Sequence, residues 1–187
     1  MICPSCGRKV LSPILKSRPY MIIKESVTQN ELELETIFPL AGKNKYGYAE
    51  NTASYYLSKE LGMVGLNLNS MSLSCLYLHQ LPKSRRTKVD KEVVEKCYDF
   101  SMSEVIKAAQ NMKIVLLMGA EVVRTFVGHG VSDVSGLVCK SELLPNVPII
   151  IPAPNSDKIM AQPIGELRNA LKTFAEQIQI YEAYMKV

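Results

Sequence analysis

Cys3-Pro4-Ser5-Cys6-Gly7 sets two thiols three residues apart around a tight turn, the half of a metal site that a terminal knuckle supplies. Backbone N–H groups beyond the second cysteine can reach its sulfur and favour the thiolate. Two more cysteines complete a candidate ligand set. Cys75 closes an apolar run that reads as a strand, and Cys97 recurs with Val93, Val94 and Tyr98 at helical spacing in the helix that follows. A helix that packs back over its own strand brings Cys75 and Cys97 together, where the knuckle can meet them. Four soft thiolates gathered in this way take either a tetrahedral Zn²⁺ or an iron–sulfur cluster. The fifth cysteine, Cys139, reads as a small buried hydrophobe.

Ligands spread over so much sequence need a framework, and Lys113–Arg124 supplies its spine. Ile114-Val115-Leu116-Leu117-Met118 is an unbroken apolar run closed by Gly119, and Val122, Val123 and Phe126 then begin a helical pattern. A parallel strand buried on both faces and feeding a helix has this form. Tyr20–Ile23, Leu66–Leu73 and Val147–Ile151 are expected to lie beside it as strands, the second ending at Cys75. Helices are expected from Asn51 to Gly62, from about Asp90 through Tyr98, and from Pro163 or Gly165 onward, where Leu167, Leu171, Phe174, Ile178 and Tyr181 form a core stripe. Leu137–Cys139 is expected to add a short edge strand. The predicted architecture is one domain, a three-layer α/β/α sandwich around a central, mostly parallel four-stranded sheet.

Composition bounds the reading. The 187 residues, 47% of them hydrophobic, suffice for one domain with a real core. No run approaches the roughly 20 apolar residues of a membrane span, and the first residues lack the layout of a secretory signal. The expectation is a cytoplasmic protein with no membrane partner, whose cysteines are metal ligands or buried thiols rather than disulfides. A net charge of +4 permits an anionic partner without requiring one. Its placement says more, because Lys83, Arg85, Arg86, Lys88 and Lys91 fall within nine residues after a strand's carboxyl end, a segment that reads equally as a solvated basic loop and as a phosphate contact. The segment Lys24–Glu33 and the loop Pro152–Met160 leave strand ends in the same way, and in an open α/β sheet ligands bind there. The chain has no P-loop, no Gly-rich dinucleotide fingerprint and no histidine pair at metal-ligand spacing.

The terminal C-x-x-C, the long gap, the strand-end cysteine, the cysteine in the next helix and a strand ending Leu117-Met118-Gly119 before a helix together resemble the iron–sulfur uracil-DNA glycosylases of bacteria and archaea, the family 4 type. The likeness runs from Cys3 to the last helix. It implies a [4Fe–4S] cluster on Cys3, Cys6, Cys75 and Cys97, with zinc as the alternative, and DNA as partner. The family's first active-site motif, G-E-x-P-G, survives only as Glu25 in Lys24-Glu25-Ser26-Val27-Thr28, and Glu31 falls at the place of the acid that activates water. Tyr46 corresponds to a ring that stacks on the base. Met71 stands where an asparagine reads the uracil edge, four residues before the strand-end cysteine. Asn155, in Pro154-Asn155-Ser156, stands where a histidine stabilises the departing base, and neither His79 nor His129 lies in that loop. Loss of one such donor typically costs about 10²–10³ in rate. The DNA-binding shell that could remain comprises Lys83, Arg85, Arg86, Lys88, Ser156 and Lys158, and Ile159-Met160 read first as ordinary packing under the loop and second as a wedge candidate. The resulting expectation is a DNA-binding relative with a degenerate pocket, an accessory in replication, repair or modification that also meets a replication or repair protein. The competing expectations are an active glycosylase for uracil or a modified pyrimidine, and a metal-stapled structural or partner-binding module.

Overall fold

The computed structural model describes residues 2–38, 53–80, 88–155 and 165–186, with the backbone alone for 53 and 88–94. Four strands, β1 (Tyr20–Ser26), β2 (Ser72–Tyr77), β3 (Ile114–Met118) and β4 (Ile149–Ala153), form one sheet in the order β2-β1-β3-β4. Every pairing is parallel: Ile22 lies opposite Leu73 on one side and Leu116 on the other, and Leu116 opposite Ile151. All residues of β2 and β3 are buried, so both faces of the sheet are covered. The helices α1 (Gln29–Leu34), α2 (Ala53–Met63), α3 (Lys88–Ala109), α4 (Ala120–Val127), α5 (Val131–Val134) and α6 (Gly165–Tyr184) provide that cover. The three-layer α/β/α sandwich expected from the sequence is the observed architecture. Among the described residues, no helix is long and apolar enough to cross a membrane.

The apolar stripe of α6 behaves as its spacing predicts, with Leu167, Leu171, Phe174 and Ile178 buried against β3 and β4. Asn51, the expected start of α2, lies outside the described residues. Two local structures depart from expectation, and both move functional residues. The first half of the Leu66–Leu73 run is no strand. Asn67 Oδ1 accepts the Asn69 N–H at 2.9 Å and caps a 3₁₀ turn over Leu68–Ser70, so β2 starts at Ser72 and reaches Tyr77. The carboxyl end of β2 is therefore Tyr77, and Cys75 is a mid-strand residue.

The second departure is α1, in a segment whose polarity reads as a loop. Thr28 and Glu31 form a reciprocal capping box that starts the helix directly after β1. Thr28→Ala is expected to lower stability by about 1 kcal/mol, the usual cost of a lost N-cap, readable as a small fall in the urea midpoint at unchanged slope.

Short antiparallel bridges cover both sheet edges. Ile14 pairs with Leu73 outside β2, and Cys139 pairs with Ile150 outside β4, which places the expected Leu137–Cys139 edge element as a single bridge. Such cover prevents a buried-type strand from offering its free edge to another chain.

Candidate metal centre and sheet-edge crevice

The N-terminal knuckle is a closed turn. Ile2 bridges Lys9, the Cys3 N–H donates to Arg8 O at 2.8 Å, and Gly7, at φ +70°, donates to Cys3 O at 2.9 Å. Only glycine adopts that φ without strain, and the turn leaves Cys3 and Cys6 on one side. The chain then runs antiparallel to β2, from the Leu11 N–H on Leu78 O to the Ile14–Leu73 pair. Residues before Leu11 consequently lie beyond the carboxyl end of β2.

Three other elements meet the knuckle there. His79 follows β2, and Cys97 lies in α3 four residues before Ser101, hence on the same helix face. Ser101 Oγ accepts the Leu78 N–H at 3.3 Å, which sets Cys97 beside His79. The outcome is a cluster of Cys3, Cys6, His79 and Cys97 whose ligand atoms all lie within 4.8 Å of one another, an arrangement that can hold a metal ion. Cys3 Sγ is 3.7 Å from Cys97 Sγ, and Cys6 Sγ is 3.8 Å from His79 Nε2. Cys3, His79 and Cys97 are buried and Cys6 is half-buried.

The electrostatics suit ligands. Burial alone would raise the Cys3 thiol, but hydrogen bonds from the Ser5 and Cys6 backbone and from the neighbouring thiols bring it below its ordinary value. Burial holds the His79 imidazole below its usual range, so the neutral, ligating form prevails at neutral pH. Burial, followed by the neighbouring Cys6 and Cys3 sulfurs, pushes the Cys97 thiol well up.

Cys75 is not part of this cluster, which corrects the sequence-based ligand set. Three residues of strand, about 10 Å, separate Cys75 from Leu78, and the knuckle docks only from Leu78 onward. Cys75 lies opposite Lys24 in β1 instead, fully buried, and desolvation pushes its thiol up to about 12. His79 is the residue that sequence reasoning missed. Cys139 is half-buried rather than fully buried.

A second convergence lies where the strand order reverses, between β1 and β3. Glu25 is near the end of β1, Gly119 follows β3, and Asn155 follows β4. Gly119 has φ +110°, and a Cβ added there would stand 3.8 Å from Asn155 Cβ and 3.9 Å from Glu25 Oε2. The two residues taken from separate sequence motifs thus meet across a residue with no side chain, at the switch point where open α/β sheets bind ligands. A carboxylate and the side chain of an amide residue border the space beside Gly119. Beside them the Tyr77 hydroxyl donates to Glu121 Oε1 at 2.9 Å, a pair that the sequence did not single out.

The structure gives Glu31 a structural place. It is 2% exposed, and its Oε2 accepts from Lys24 Nζ at 2.6 Å, the Thr28 N–H at 2.8 Å and Thr28 Oγ1 at 3.0 Å. Its Oε1 accepts the Phe38 N–H at 2.7 Å. A general base needs a lone pair aimed at a reachable water, and this carboxylate is instead used to join β1, α1 and Phe38. Met71 is likewise corrected. It is fully buried at the amino end of β2, the opposite end of the sheet from Glu25, Gly119 and Asn155, and cannot reach a base held there. Tyr46, Lys83, Arg85, Arg86, Ser156, Lys158 and the Ile159-Met160 wedge lie outside the described residues, and Lys88 is described only as the start of the α3 backbone. Comparison with protein-family models and with curated proteins finds no match to this chain.

Proposed function

We propose that this chain is a DNA-binding protein of the uracil-DNA glycosylase type, with a metal-stapled N-terminus and a pocket altered away from uracil excision. The observation that carries the reading is the meeting of a terminal C-x-x-C knuckle with one donor just after β2 and one in α3, on a parallel sheet ordered β2-β1-β3-β4. Glu25 and Asn155, on either side of Gly119, support it, since the resemblance assigns both to the pocket. The resemblance implies a [4Fe–4S] cluster in the staple, with zinc as the alternative.

Moving the ligand after β2 from Cys75 to His79 changes the comparison of pockets. The position four residues before that ligand, where the family reads the uracil edge, becomes Cys75 in place of Met71. A buried neutral thiol is a weak donor and a weak acceptor, and it cannot form the paired hydrogen bonds of an amide. Specificity for uracil built on such pairing is lost with it. The protein then grips DNA, as an accessory to replication, repair or modification, without cutting the glycosidic bond of uracil.

The test is fluorescence anisotropy with short duplexes between 50 and 200 mM salt. The affinity is expected to fall steeply with salt, and the triple change Lys83→Ala, Arg85→Ala and Arg86→Ala to reduce the logarithmic slope by roughly 2–3, about 0.9 per phosphate contact. Absent or salt-independent binding would overturn the reading in favour of a structural module. The Glu25–Asn155 juxtaposition favours one competing reading, excision of a modified pyrimidine with Asn155 as donor. Abasic sites in duplexes carrying uracil or 5-substituted uracils would decide for it.

A further inference from the structure

We infer that the centre is a mononuclear tetrahedral zinc site of the Cys₃His type, held by Cys3, Cys6, His79 and Cys97, and not a four-thiolate [4Fe–4S] cluster. The inference sets aside the cluster that the resemblance implies in favour of its alternative and is decided by metal content, whereas DNA binding is decided by anisotropy, so the two fail separately.

Three observations carry it. The first is the donor set. A [4Fe–4S] cluster is held by four cysteine thiolates, and here the fourth thiolate is missing, because Cys75 lies inside β2 while an imidazole stands at the site. Three thiolates and one imidazole are a standard structural zinc set.

The second is spacing. Ligands sharing one tetrahedral ion, with Zn–S near 2.3 Å and Zn–N near 2.0–2.1 Å, stand about 3.8 Å apart sulfur to sulfur and about 3.6 Å sulfur to nitrogen. Two separations match these, 3.7 Å for Cys3 Sγ to Cys97 Sγ and 3.8 Å for Cys6 Sγ to His79 Nε2, and all four ligand atoms lie within 4.8 Å of one another. A cubane places a different iron under each ligand, with a core of irons and sulfides between them, and needs its thiolates farther apart than these four atoms stand.

The third is the orientation of the histidine. His79 Nδ1 lies 3.1 Å from Gln80 O, and a carbonyl oxygen only accepts, so Nδ1 carries the proton and Nε2 presents its lone pair to the three sulfurs. Arg8 Nη1 donates to the same carbonyl at 3.0 Å, so a knuckle residue buttresses the loop that aims the ring. Metal-bound histidines are held by such outer hydrogen bonds. With zinc the centre has no redox chemistry, and its work is to hold the knuckle against β2 and α3.

The experiment is elemental analysis of the full chain, purified without oxygen from cells supplied with both iron and zinc. The wild type and Cys75→Ala are each expected to contain one zinc per chain, with no iron and no visible thiolate-to-iron absorption. His79→Ala is expected to lose its zinc on passage through a chelator, and His79→Cys, which restores a fourth donor and serves if the alanine variant fails to fold, to retain it. Exchange with Co²⁺ is expected to give the intense visible bands of a tetrahedral thiolate site in the wild type and in Cys75→Ala alike. Roughly four irons per chain, the content of a cubane, would overturn the inference. So would metal content that depends on Cys75 and not on His79, or a folded wild type that takes up no metal.

Discussion

Replacing Glu31 with alanine is expected to destabilise the fold by about 3–5 kcal/mol, the cost of breaking a buried ion pair by removing one partner. Lys24 is 8% exposed, and among the described residues its ammonium would keep the Phe38 ring, 4.9 Å from the ring centroid, as company for its charge. The alanine variant also strips an acceptor from the Thr28 and Phe38 N–H groups, so α1 loses half its capping box and the chain loses the tie between Phe38 and β1. The measurement is the urea midpoint at unchanged slope. Lys24→Met combined with Glu31→Leu is expected to recover part of the loss, because both charges then leave the interior together. The sign separates two roles. A carboxylate kept buried for catalysis weakens its protein, and neutralising it raises stability. A higher midpoint in Glu31→Ala would restore Glu31 to the chemistry.

The same residue shows what the sequence allowed and what it concealed. The buried strands were legible where burial is complete: Ile114–Met118 closed by Gly119, Tyr20–Ile23 and Ile149–Ile151 carry patterns that only a doubly covered parallel sheet explains. The Leu66–Leu73 run misled because its leucines alternate as a strand's would, while the Asn67 side chain competes for the backbone and turns the first half into 3₁₀. Helix α1 was concealed by polarity, although Thr28-x-x-Glu31 is the spacing of a capping box and could have located it. Reading Glu31 as an available acid followed from reading its segment as a loop.

Of the candidate metal ligands, Cys3 and Cys6 were legible from their spacing and Cys97 from its helical face. His79 was not, since one histidine after an apolar run has no partner at a fixed offset to mark it, and Cys75 offered the softer donor nearby. The choice between them depended on where β2 ends, at Tyr77 rather than at Cys75. A shift of a few residues in one strand boundary thus exchanged a thiolate for an imidazole and an iron–sulfur expectation for a zinc one. Glu25 and Asn155 were legible for the opposite reason. The resemblance picked out both, and they lie near the end of β1 and just past β4, which parallel pairing to β3 brings to one edge of the sheet.

Stripping the metal with a chelator is expected to release residues 2–11 from the edge of β2 while leaving the sheet folded. Ordering that segment costs roughly 10–20 kcal/mol at about 1–2 kcal/mol per residue. Against this stand the burial of Val10 and Leu11, about 1.5–3 kcal/mol each, and backbone bonds such as Leu11 N–H to Leu78 O, worth about 1 kcal/mol each. A structural zinc, with apparent binding free energies of about 10–16 kcal/mol, adds a term larger than any of these contacts. The rest of the sheet is expected to stand without it, because α4 packs on β1 and β3 and α6 on β3 and β4, and neither helix carries one of the four clustered residues. Trypsin is therefore expected to cut after Arg8 or Lys9 only in the chelated protein, with the far-ultraviolet circular dichroism nearly unchanged. Cutting at the same rate with and without chelator would show that the metal does not hold the segment, and loss of the whole fold would make the centre part of the core. Release has a further consequence. The six-residue strand β2, buried throughout, would lose the cover next to Leu78 and weaken the Ile14–Leu73 pair, exposing a sheet edge of the kind that pairs with other chains. Chelated protein is accordingly expected to self-associate, reversibly while the knuckle remains intact and can rebind zinc.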